Sequence, residues 1–406
     1  MIREYTSDCV HCGFCLPTCP TYVLWREEMD SPRGRIHLMD ATLDGAVALS
    51  PTVSQHFDRC LGCMACLSSC PSGVRYDRLI ESTRAAVERE VPRPASERVV
   101  RGLMFRLLPY PDRMRAALRL APLGRHAPMP KRFRPLVEMA PRWRGRGRVP
   151  VLTPAAGGRR ARVGLLTGCV QSAVFPDVNA ATARVLAADG YEVVAPPQGC
   201  CGALSLHAGR LEEGKAFARR LLGAFDDVDL VVVNASGCGS HLKELGWLLE
   251  DDRAAVFAAK VRDVGEVLAD TPARAARHPL AMRVALQDSC HLRHAQQLPL
   301  ASRGALARIP ALDVAEPAEQ DICCGSAGIY NVVQPDAARE LGDRKAAHIL
   351  ATGAQAYASA NPGCLVQVSA ALNRAKQPLP ALHPIELVDA SIRGVPAGRL
   401  RTTARR

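Results

Sequence analysis

The segment CVHCGFCLPTCP (residues 9–20) returns later in the chain as CLGCMACLSSCP (residues 60–71). Each copy spaces its first three cysteines three residues apart and places a fourth cysteine directly before a proline. Two residues between cysteines form a tight loop that aims successive sulfurs at one small centre, and soft thiolates select iron-sulfur clusters or zinc over hard cations. These eight cysteines therefore predict metal centres that organise the first part of the chain.

This spacing resembles that of bacterial two-cluster ferredoxins, in which the fourth cysteine of each run ligates the cluster of the other run. The resemblance implies two [4Fe-4S] clusters with crossed ligand sets. Cluster 1 would be held by Cys9, Cys12, Cys15 and Cys70, and cluster 2 by Cys60, Cys63, Cys66 and Cys19. Structural zinc sites usually draw their ligands from two separated pairs, so zinc fits this pattern poorly.

The composition indicates an intracellular redox protein of more than one domain. The chain has 406 residues, 16 cysteines and 48% hydrophobic residues. No apolar signal segment precedes Cys9, so we expect reduced or metal-bound thiols and a cytoplasmic location. No apolar run is long enough for a spanning helix, so any membrane contact is expected to be peripheral, on the inner face of the cytoplasmic membrane.

Positive charge is concentrated between residues 91 and 160. This stretch holds sixteen arginines and one lysine against three acidic residues, a net charge of +14 compared with +12 for the whole chain. It also holds eleven of the 30 prolines. We interpret it as a basic, proline-rich connector, and the absence of any recognition motif argues against nucleic-acid binding.

The connector contains one amphipathic helical pattern, with apolar residues at helical spacing between Arg98 and Pro109. Two interpretations fit a basic amphipathic helix. It packs its apolar face on a neighbouring domain, which is the commoner case, or it lies on an anionic bilayer surface. We expect domain packing.

Beyond the connector the chain repeats a second cysteine pattern. The first copy has a lone cysteine, an adjacent pair followed by glycine, and a last lone cysteine, and the second copy follows about 120 residues later. The two sets are Cys169, Cys200, Cys201 and Cys238, then Cys290, Cys323, Cys324 and Cys364. Three landmarks at nearly one period predict two copies of one domain.

Short apolar strands alternate with helical patterns in both copies and lead into the cysteines. This alternation predicts a small parallel sheet in each copy, with the cysteines at the strand ends where open α/β sheets bind ligands. We therefore expect a multidomain α+β and α/β protein: an α-helical two-cluster domain followed by two α/β cysteine-rich domains related by a pseudo-twofold axis. The expected ranges are 1–90 for the ferredoxin-type domain, 91–160 for the connector, 161–275 and 280–395 for the cysteine-rich domains, and 396–406 for a basic tail.

Adjacent cysteines before a glycine, present twice, indicate a metal or redox site in each copy. Three chemistries remain open for these eight cysteines: an iron-sulfur cluster, a zinc ion, or a dithiol that acts on a substrate. His241, three residues after Cys238, could replace a ligand, although a hydrogen-bonded histidine is the simpler interpretation. His11 and His37 lie near the predicted clusters and could tune them through hydrogen bonds.

Taken together, these motifs resemble the iron-sulfur subunits of glycolate oxidase (glycolate dehydrogenase) over nearly the whole chain. The resemblance rests on DSPRGRI (30–36), DRCLGCMACLSSCPSGV (58–74), GCCG (199–202), NASGCG (234–239) and ICCGSAG (322–328). It implies an oxidoreductase complex in which an FAD-containing partner oxidises glycolate to glyoxylate. This chain would carry electrons toward a membrane quinone and would hold no catalytic residue. No Gly-x-Gly-x-x-Gly follows a strand, so the flavin is expected on the partner.

Other functions remain possible. The paired cysteine-rich domains are also similar to heterodisulfide reductase subunits and to the iron-sulfur subunits of D-lactate and glycerol-3-phosphate dehydrogenases. In the heterodisulfide enzymes each copy ends in two cysteines, whereas here Ala235 and Asn361 occupy the positions of the missing thiols. A non-enzymatic interpretation makes the cysteine-rich domains zinc-stabilised docking modules.

Overall fold

The computed structural model describes residues 2–124 and 147–402. Within these ranges the N-terminal domain is built from short helices around a small core. These helices are α1 (Ile2–Thr6), α2 (Pro20–Trp25), α3 (Pro32–Leu43), α4 (Pro51–Asp58), α5 (Ala65–Ser68) and α6 (Tyr76–Glu90), with a 3-10 turn at Glu28–Asp30. Its core contains cysteines of both thiol runs beside Phe57, Leu79 and Ile80.

Prolines begin several of these helices. Pro20, Pro32 and Pro51 each stand in the first turn, where the missing N–H needs no partner and the fixed φ suits a helix. The residue before Pro20 is Cys19, so the fourth cysteine of the first run is also the N-cap of α2. The Cys-Pro step therefore turns the chain out of the metal-binding loop and into a helix.

Part of the connector folds onto the domains that it joins. It forms α7 (Ala95–Leu107) and α8 (Pro111–Gly124), and residues 125–146 lie outside the described residues. The buried face of α7 presents Val100, Met104 and Phe105 to Leu204 of the first cysteine-rich domain and Ile329 of the second. The expected domain packing of this helix is what the structure shows.

The first cysteine-rich domain is an open α/β sheet with strand order β1-β3-β2-β4-β5. The strand pairs are parallel except for β1, which runs antiparallel to β3 at the edge. The elements are β1 (Leu152–Thr153), β2 (Ala161–Leu166), α9 (Val170–Val174), α10 (Pro176–Ala188), β3 (Tyr191–Val194), α11 (Ala203–His207), α12 (Leu211–Leu222), β4 (Leu230–Val233), α13 (Ser236–Lys243), α14 (Leu245–Leu249), α15 (Asp252–Lys260), β5 (Val261–Asp263) and α16 (Val264–Asp270). Because β1 lies before residue 161, this sheet extends into the range predicted as connector.

The second cysteine-rich domain repeats this topology with strand order β7-β6-β8-β9, all parallel. Its elements are β6 (Met282–Leu286), a π-helical turn (His291–Ala295), α17 (Ala301–Leu306), β7 (Leu312–Ala315), α18 (Tyr330–Val333), α19 (Pro335–Ala351), β8 (Ala356–Ala358), α20 (Pro362–Arg374), β9 (Ala381–Leu382), α21 (Pro384–Ile392) and α22 (Ala397–Thr402). The order matches β3-β2-β4-β5 strand for strand. The predicted repeat of one domain is confirmed.

The two cysteine-rich domains face each other through equivalent helices. α10 packs on α21, and α17 packs on α16, so each domain presents the helix between its first two parallel strands to the helix that follows the last strand of the other. One apolar core holds residues of both β2 and β6, and Arg184 forms a 2.7 Å ion pair with Asp389 across the contact. This reciprocity gives the pseudo-twofold relation that the repeat predicted.

Candidate metal centres and the cavity between the domains

The two thiol loops adopt the same backbone conformation. Positive φ angles occur at His11 (53°) and Gly13 (87°) in the first loop and at Gly62 (63°) and Met64 (62°) in the second. These are equivalent positions relative to the cysteines. This conformation costs a non-glycine residue roughly 1–2 kcal/mol. Its presence at His11 and Met64 indicates that the geometry of the cysteine loop requires it.

The cysteines predicted for cluster 1 surround one cavity. Cys9, Cys12, Cys15 and Cys70 all line it, and Cys66 of the second run lies at its inner wall. Burial raises the pKa of the Cys15 thiol to about 11, and burial also raises that of Cys9. Because ligation requires thiolates, iron binding at this site would release protons.

The cysteines predicted for cluster 2 lie deeper in the protein. Cys60, Cys66 and Cys19 are buried, and Cys63 is half-buried. Burial raises the pKa of Cys63 and Cys66, and the charges of the neighbouring thiols, Cys19 among them, raise it further. The structure thus brings the fourth cysteine of the first run to the first three of the second.

The surroundings of Cys60 suit a buried anionic group. Burial disfavours its thiolate, but Arg35 and Arg84 outweigh this effect and lower the pKa of Cys60. The Gly62 N–H donates to Cys60 Sγ at 3.3 Å, and the Tyr76 hydroxyl donates at 3.7 Å. All-thiolate donors, backbone N–H···S bonds and a positive environment fit an iron-sulfur cluster.

The four cysteines of the first cysteine-rich domain converge from different elements. Cys169 Sγ lies 3.4 Å from Cys200 Sγ. Cys201 lies beside both Cys200 and Cys238, and these neighbours raise the pKa of its thiol. Cys238 is half-buried and the other three are buried.

The second domain brings its four cysteines together in the same sequence of contacts. Cys323 contacts Cys290 and Cys324, and Cys324 contacts Cys364. All four are buried. The first and last cysteines therefore meet at the adjacent pair in both copies, as expected for ligands at strand ends.

The positions of the missing thiols are also equivalent. Ala235 and Asn361 are the N-cap residues of α13 and α20, each three residues before the last cysteine. Asn361 Nδ2 lies 3.5 Å from Cys364 Sγ, so the side chain that replaces a thiol still contacts the cysteine group.

The π-helical turn His291–Ala295 joins the three domains. It packs on both α5 and α13. His291 Nδ1 lies 2.6 Å from the Ser240 hydroxyl, and His294 Nδ1 lies 2.6 Å from the Ser68 hydroxyl. Such turns are frequent at functional sites. The turn follows Cys290, which lies close enough for its charge to raise the pKa of Cys63, after the larger effect of burial.

Three histidines cluster at this joint, and the sequence did not indicate their association. The His207 ring centroid lies 5.3 Å from that of His291 and 6.5 Å from that of His241. His241 Nε2 lies 3.0 Å from the Cys201 carbonyl oxygen, so this nitrogen is engaged by the backbone. His11 lines the cluster 1 cavity, and its ring lies 6.3 Å from that of His37.

No group of three or more Cys, His, Asp or Glu side chains in residues 2–124 and 147–402 is arranged closely enough to hold a single metal ion. None of the helices in those ranges is long and apolar enough to cross a bilayer.

Comparison with known proteins matches both halves of the chain. The 4Fe-4S dicluster domain family matches residues 5–74, and the Cysteine-rich domain family matches residues 163–243 and 284–369. The "Probable glycolate oxidase iron-sulfur subunit" of Bacillus subtilis is 37% identical over 90% of this chain and 89% of the relative. The "Glycolate oxidase iron-sulfur subunit" of Escherichia coli is 35% identical over 95% and 93%. A "Lactate utilization protein A" of Exiguobacterium is 28% identical over 57% of this chain and 98% of the relative.

Proposed function

Because this chain belongs to the family of glycolate oxidase iron-sulfur subunits, we propose that it carries electrons from a flavoprotein that oxidises glycolate to glyoxylate toward a membrane quinone. The proximity of the two thiol runs is the observation that supports this proposal. Cys70 lines the same cavity as Cys9, Cys12 and Cys15, and the charge of Cys19 raises the pKa of Cys66, which fits the crossed ligand arrangement of a two-cluster electron carrier.

Cluster 1 is assigned to Cys9, Cys12, Cys15 and Cys70, and cluster 2 to Cys60, Cys63, Cys66 and Cys19. When bound, the [4Fe-4S] clusters supply one-electron transfer at two adjacent points. The surrounding residues would exclude water from cluster 2, and Arg35 and Arg84 would offset its negative charge. FAD, which exchanges electrons in pairs with the hydroxy acid, belongs to the partner.

We assign electron entry to the cluster 1 side. Cys12 is exposed there, and the neighbouring Val10 and Phe14 expose 68% and 66% of their surfaces. Large apolar side chains at such exposure, next to a redox ligand, suit a protein partner. Cluster 2 has no such access, because Cys63 and Leu61 pack against Cys290 and Cys323.

We assign a metal centre to each cysteine-rich domain, and that of the second domain lies next to cluster 2. Cys290, Cys323, Cys324 and Cys364 form the nearer set, and Cys169, Cys200, Cys201 and Cys238 the other. An iron-sulfur cluster and a zinc ion use the same thiolates, and metal analysis of anaerobically purified protein distinguishes them. Serine at Cys200 and Cys201 should abolish quinone reduction and leave the first two clusters in place; unchanged turnover would exclude a role for these thiols in electron exit.

Peripheral membrane contact is assigned to the outer face of α7 and α8. Val99, Leu103 and Leu120 are 66%, 50% and 63% exposed, and arginines flank them. This combination suits an anionic bilayer surface. Leu103→Glu should weaken sedimentation with anionic vesicles, whereas Leu300→Glu, at a 70% exposed site elsewhere, should not; equal binding of both variants and the wild type would refute the assignment.

The decisive experiment uses the chain purified anaerobically with its flavoprotein. Glycolate should bleach the broad visible absorbance of the clusters, and D-lactate or glycerol 3-phosphate should not. If dithionite bleaches the clusters and glycolate does not, the clusters are present but the assigned electron donor is wrong. Bleaching by D-lactate would favour the second candidate, a lactate dehydrogenase subunit, to which the similarity with lactate utilization proteins points.

A further inference from the structure

A cavity of about 260 Å³ lies where the three domains meet. The ferredoxin-type domain contributes Met64 and Glu81 to its wall, the first cysteine-rich domain contributes His207 and Trp247, and the second contributes His291. The cavity is separate from the one lined by the cluster 1 cysteines. Two residues of its lining, Met64 and His291, directly follow the assigned ligands Cys63 and Cys290 in the chain.

The hydrogen bonds in this cavity leave the buried Nε2 of His207 without a protein partner. His207 Nδ1 lies 2.9 Å from Glu81 Oε1, whereas His207 Nε2 is buried and has no partner among the described residues. His291 and His241 are engaged by the Ser240 hydroxyl and the Cys201 carbonyl. A ligand in the cavity would therefore find its polar partner at His207.

The rest of the lining indicates the kind of ligand. Leu206, Leu248 and Trp247 supply apolar walls. Arg75, bonded to Asp77 at 2.6 Å and to Glu244 at 2.8 Å, supplies a charged and partly exposed border. The volume lies below the roughly 300–1,000 Å³ of pockets for drug-sized ligands. It suits one or two fused rings and excludes a dinucleotide.

We propose that this cavity binds the ring of a quinone and that His207 hydrogen-bonds one of its carbonyl oxygens. The inference rests on the proposed function, since it locates the acceptor in that electron path. A flat ring with apolar faces and carbonyl oxygens at its edge matches apolar walls beside a histidine nitrogen that has no protein partner.

The chemistry balances with the proposed reaction. Oxidation of a 2-hydroxy acid to a 2-oxo acid releases two electrons and two protons, and reduction of a quinone to a quinol takes up the same numbers. His207 gives a proton from Nε2 to one carbonyl oxygen and receives one at Nδ1 from Glu81, and the second carbonyl oxygen takes its proton from solvent at the border of the cavity. Burial raises the pKa of Glu81 to about 8, so it carries a proton to give at neutral pH. Solvent at the border of the cavity restores the proton of Glu81.

The test measures equilibrium binding of two short-chain quinones, a benzoquinone and a naphthoquinone, to the complete complex by ultrafiltration. We expect saturable binding at one site. His207→Gln should weaken it roughly 2- to 12-fold, the equivalent of one lost hydrogen bond. Its matched control is His348→Gln, which removes a surface histidine paired with Glu319 and should leave binding unchanged.

Two further variants separate binding from proton transfer. Ala295→Leu adds side-chain volume to the lining and should weaken quinone binding about tenfold without touching a histidine. Glu81→Gln can still hydrogen-bond His207 but cannot donate its proton, so kcat should fall while the quinone Kd stays unchanged. This split identifies Glu81 as a positioning and proton-supplying residue, which a merely structural role would not produce.

Each outcome decides the inference. Binding that is absent, or that neither His207→Gln nor Ala295→Leu affects, refutes the site. If glycolate still bleaches the clusters in that case, the proposed function stands and the quinone binds elsewhere. If quinone binds as expected but glycolate does not bleach the clusters, the proposed donor is wrong and the site remains.

Discussion

The glycine after each adjacent cysteine pair allows a quantitative prediction of how its substitution changes stability. Gly325 has φ +87°, and a Cβ atom there would lie 2.5 Å from the Ala338 carbonyl oxygen of α19. Gly202 has φ +99°, and its Cβ would lie 2.5 Å from the Gly214 carbonyl oxygen of α12. The same obstruction in both copies means that the glycine lets a helix backbone approach the cysteine loop.

We expect Gly325→Ala to lower the free energy of unfolding by about 2–5 kcal/mol. The left-handed conformation accounts for roughly 1–2 kcal/mol, and forcing the helix backbone away accounts for about 1–3 kcal/mol, as for other overpacked sites. Gly353→Ala is the matched control, because Gly353 lies in the same domain at φ +66° with nothing within 4 Å of its Cβ. The control should show the conformational cost alone.

The assay is anaerobic urea unfolding followed by circular dichroism, with iron content determined for each variant. Gly325→Ala should lower the unfolding midpoint more than Gly353→Ala, by the equivalent of about 1–3 kcal/mol, and Gly202→Ala should resemble Gly325→Ala. Equal shifts at Gly325 and Gly353 would show that close helix approach is not why glycine follows the cysteine pair.

Three other predictions test the ligands, the partner surface and a buried histidine. Cys19→Ser should remove cluster 2 and spare cluster 1, and Cys70→Ser should do the reverse, with about four irons per chain lost in each; loss restricted to the cluster of the same run would contradict the crossed assignment. Phe14→Glu should weaken binding of the flavoprotein in a pull-down titration, whereas Leu300→Glu should not. Equal affinities of the two variants for the flavoprotein would show that the docking surface does not include Phe14. Burial lowers the pKa of His383 to about 3. The unfolded chain therefore protonates this histidine at a higher pH than the folded protein does, and stability should fall as pH drops below about 6.5. His383→Asn should reduce this pH dependence of the unfolding midpoint between about pH 7 and 5, and an unchanged dependence would assign the effect to another group.

Much of the fold followed from local patterns. The cysteine repeats, the alternation of strands and helices and the helical pattern before Pro109 predicted two α/β copies and a packed connector helix.

The positive charge of the connector was less informative about its structure. Arg93 and Arg101 are nearly buried and pair with Asp58, Glu88 and Glu97, instead of facing solvent. Composition counts charges but does not show which carboxylates they meet.

The histidine cavity could not be predicted, because its parts are far apart in the chain. Glu81, His207 and His291 come from three domains, and their types are common in any sequence. The only local sign was that His291 follows Cys290, which is also compatible with an ordinary hydrogen-bonded histidine. Their association depends on how the domains dock, and side chains more than eighty residues apart leave no spacing pattern.

The iron-sulfur class of the first domain and the repeated α/β architecture were therefore determined by the amino-acid order, because thiolate spacing in a tight loop and strand-helix periodicity act over a few residues. The close helix approach at the glycine after each cysteine pair and the cavity at the π-helical turn depended on the folded chain. These features arise where distant segments pack together, and packing selects positions by shape and contact instead of by sequence separation.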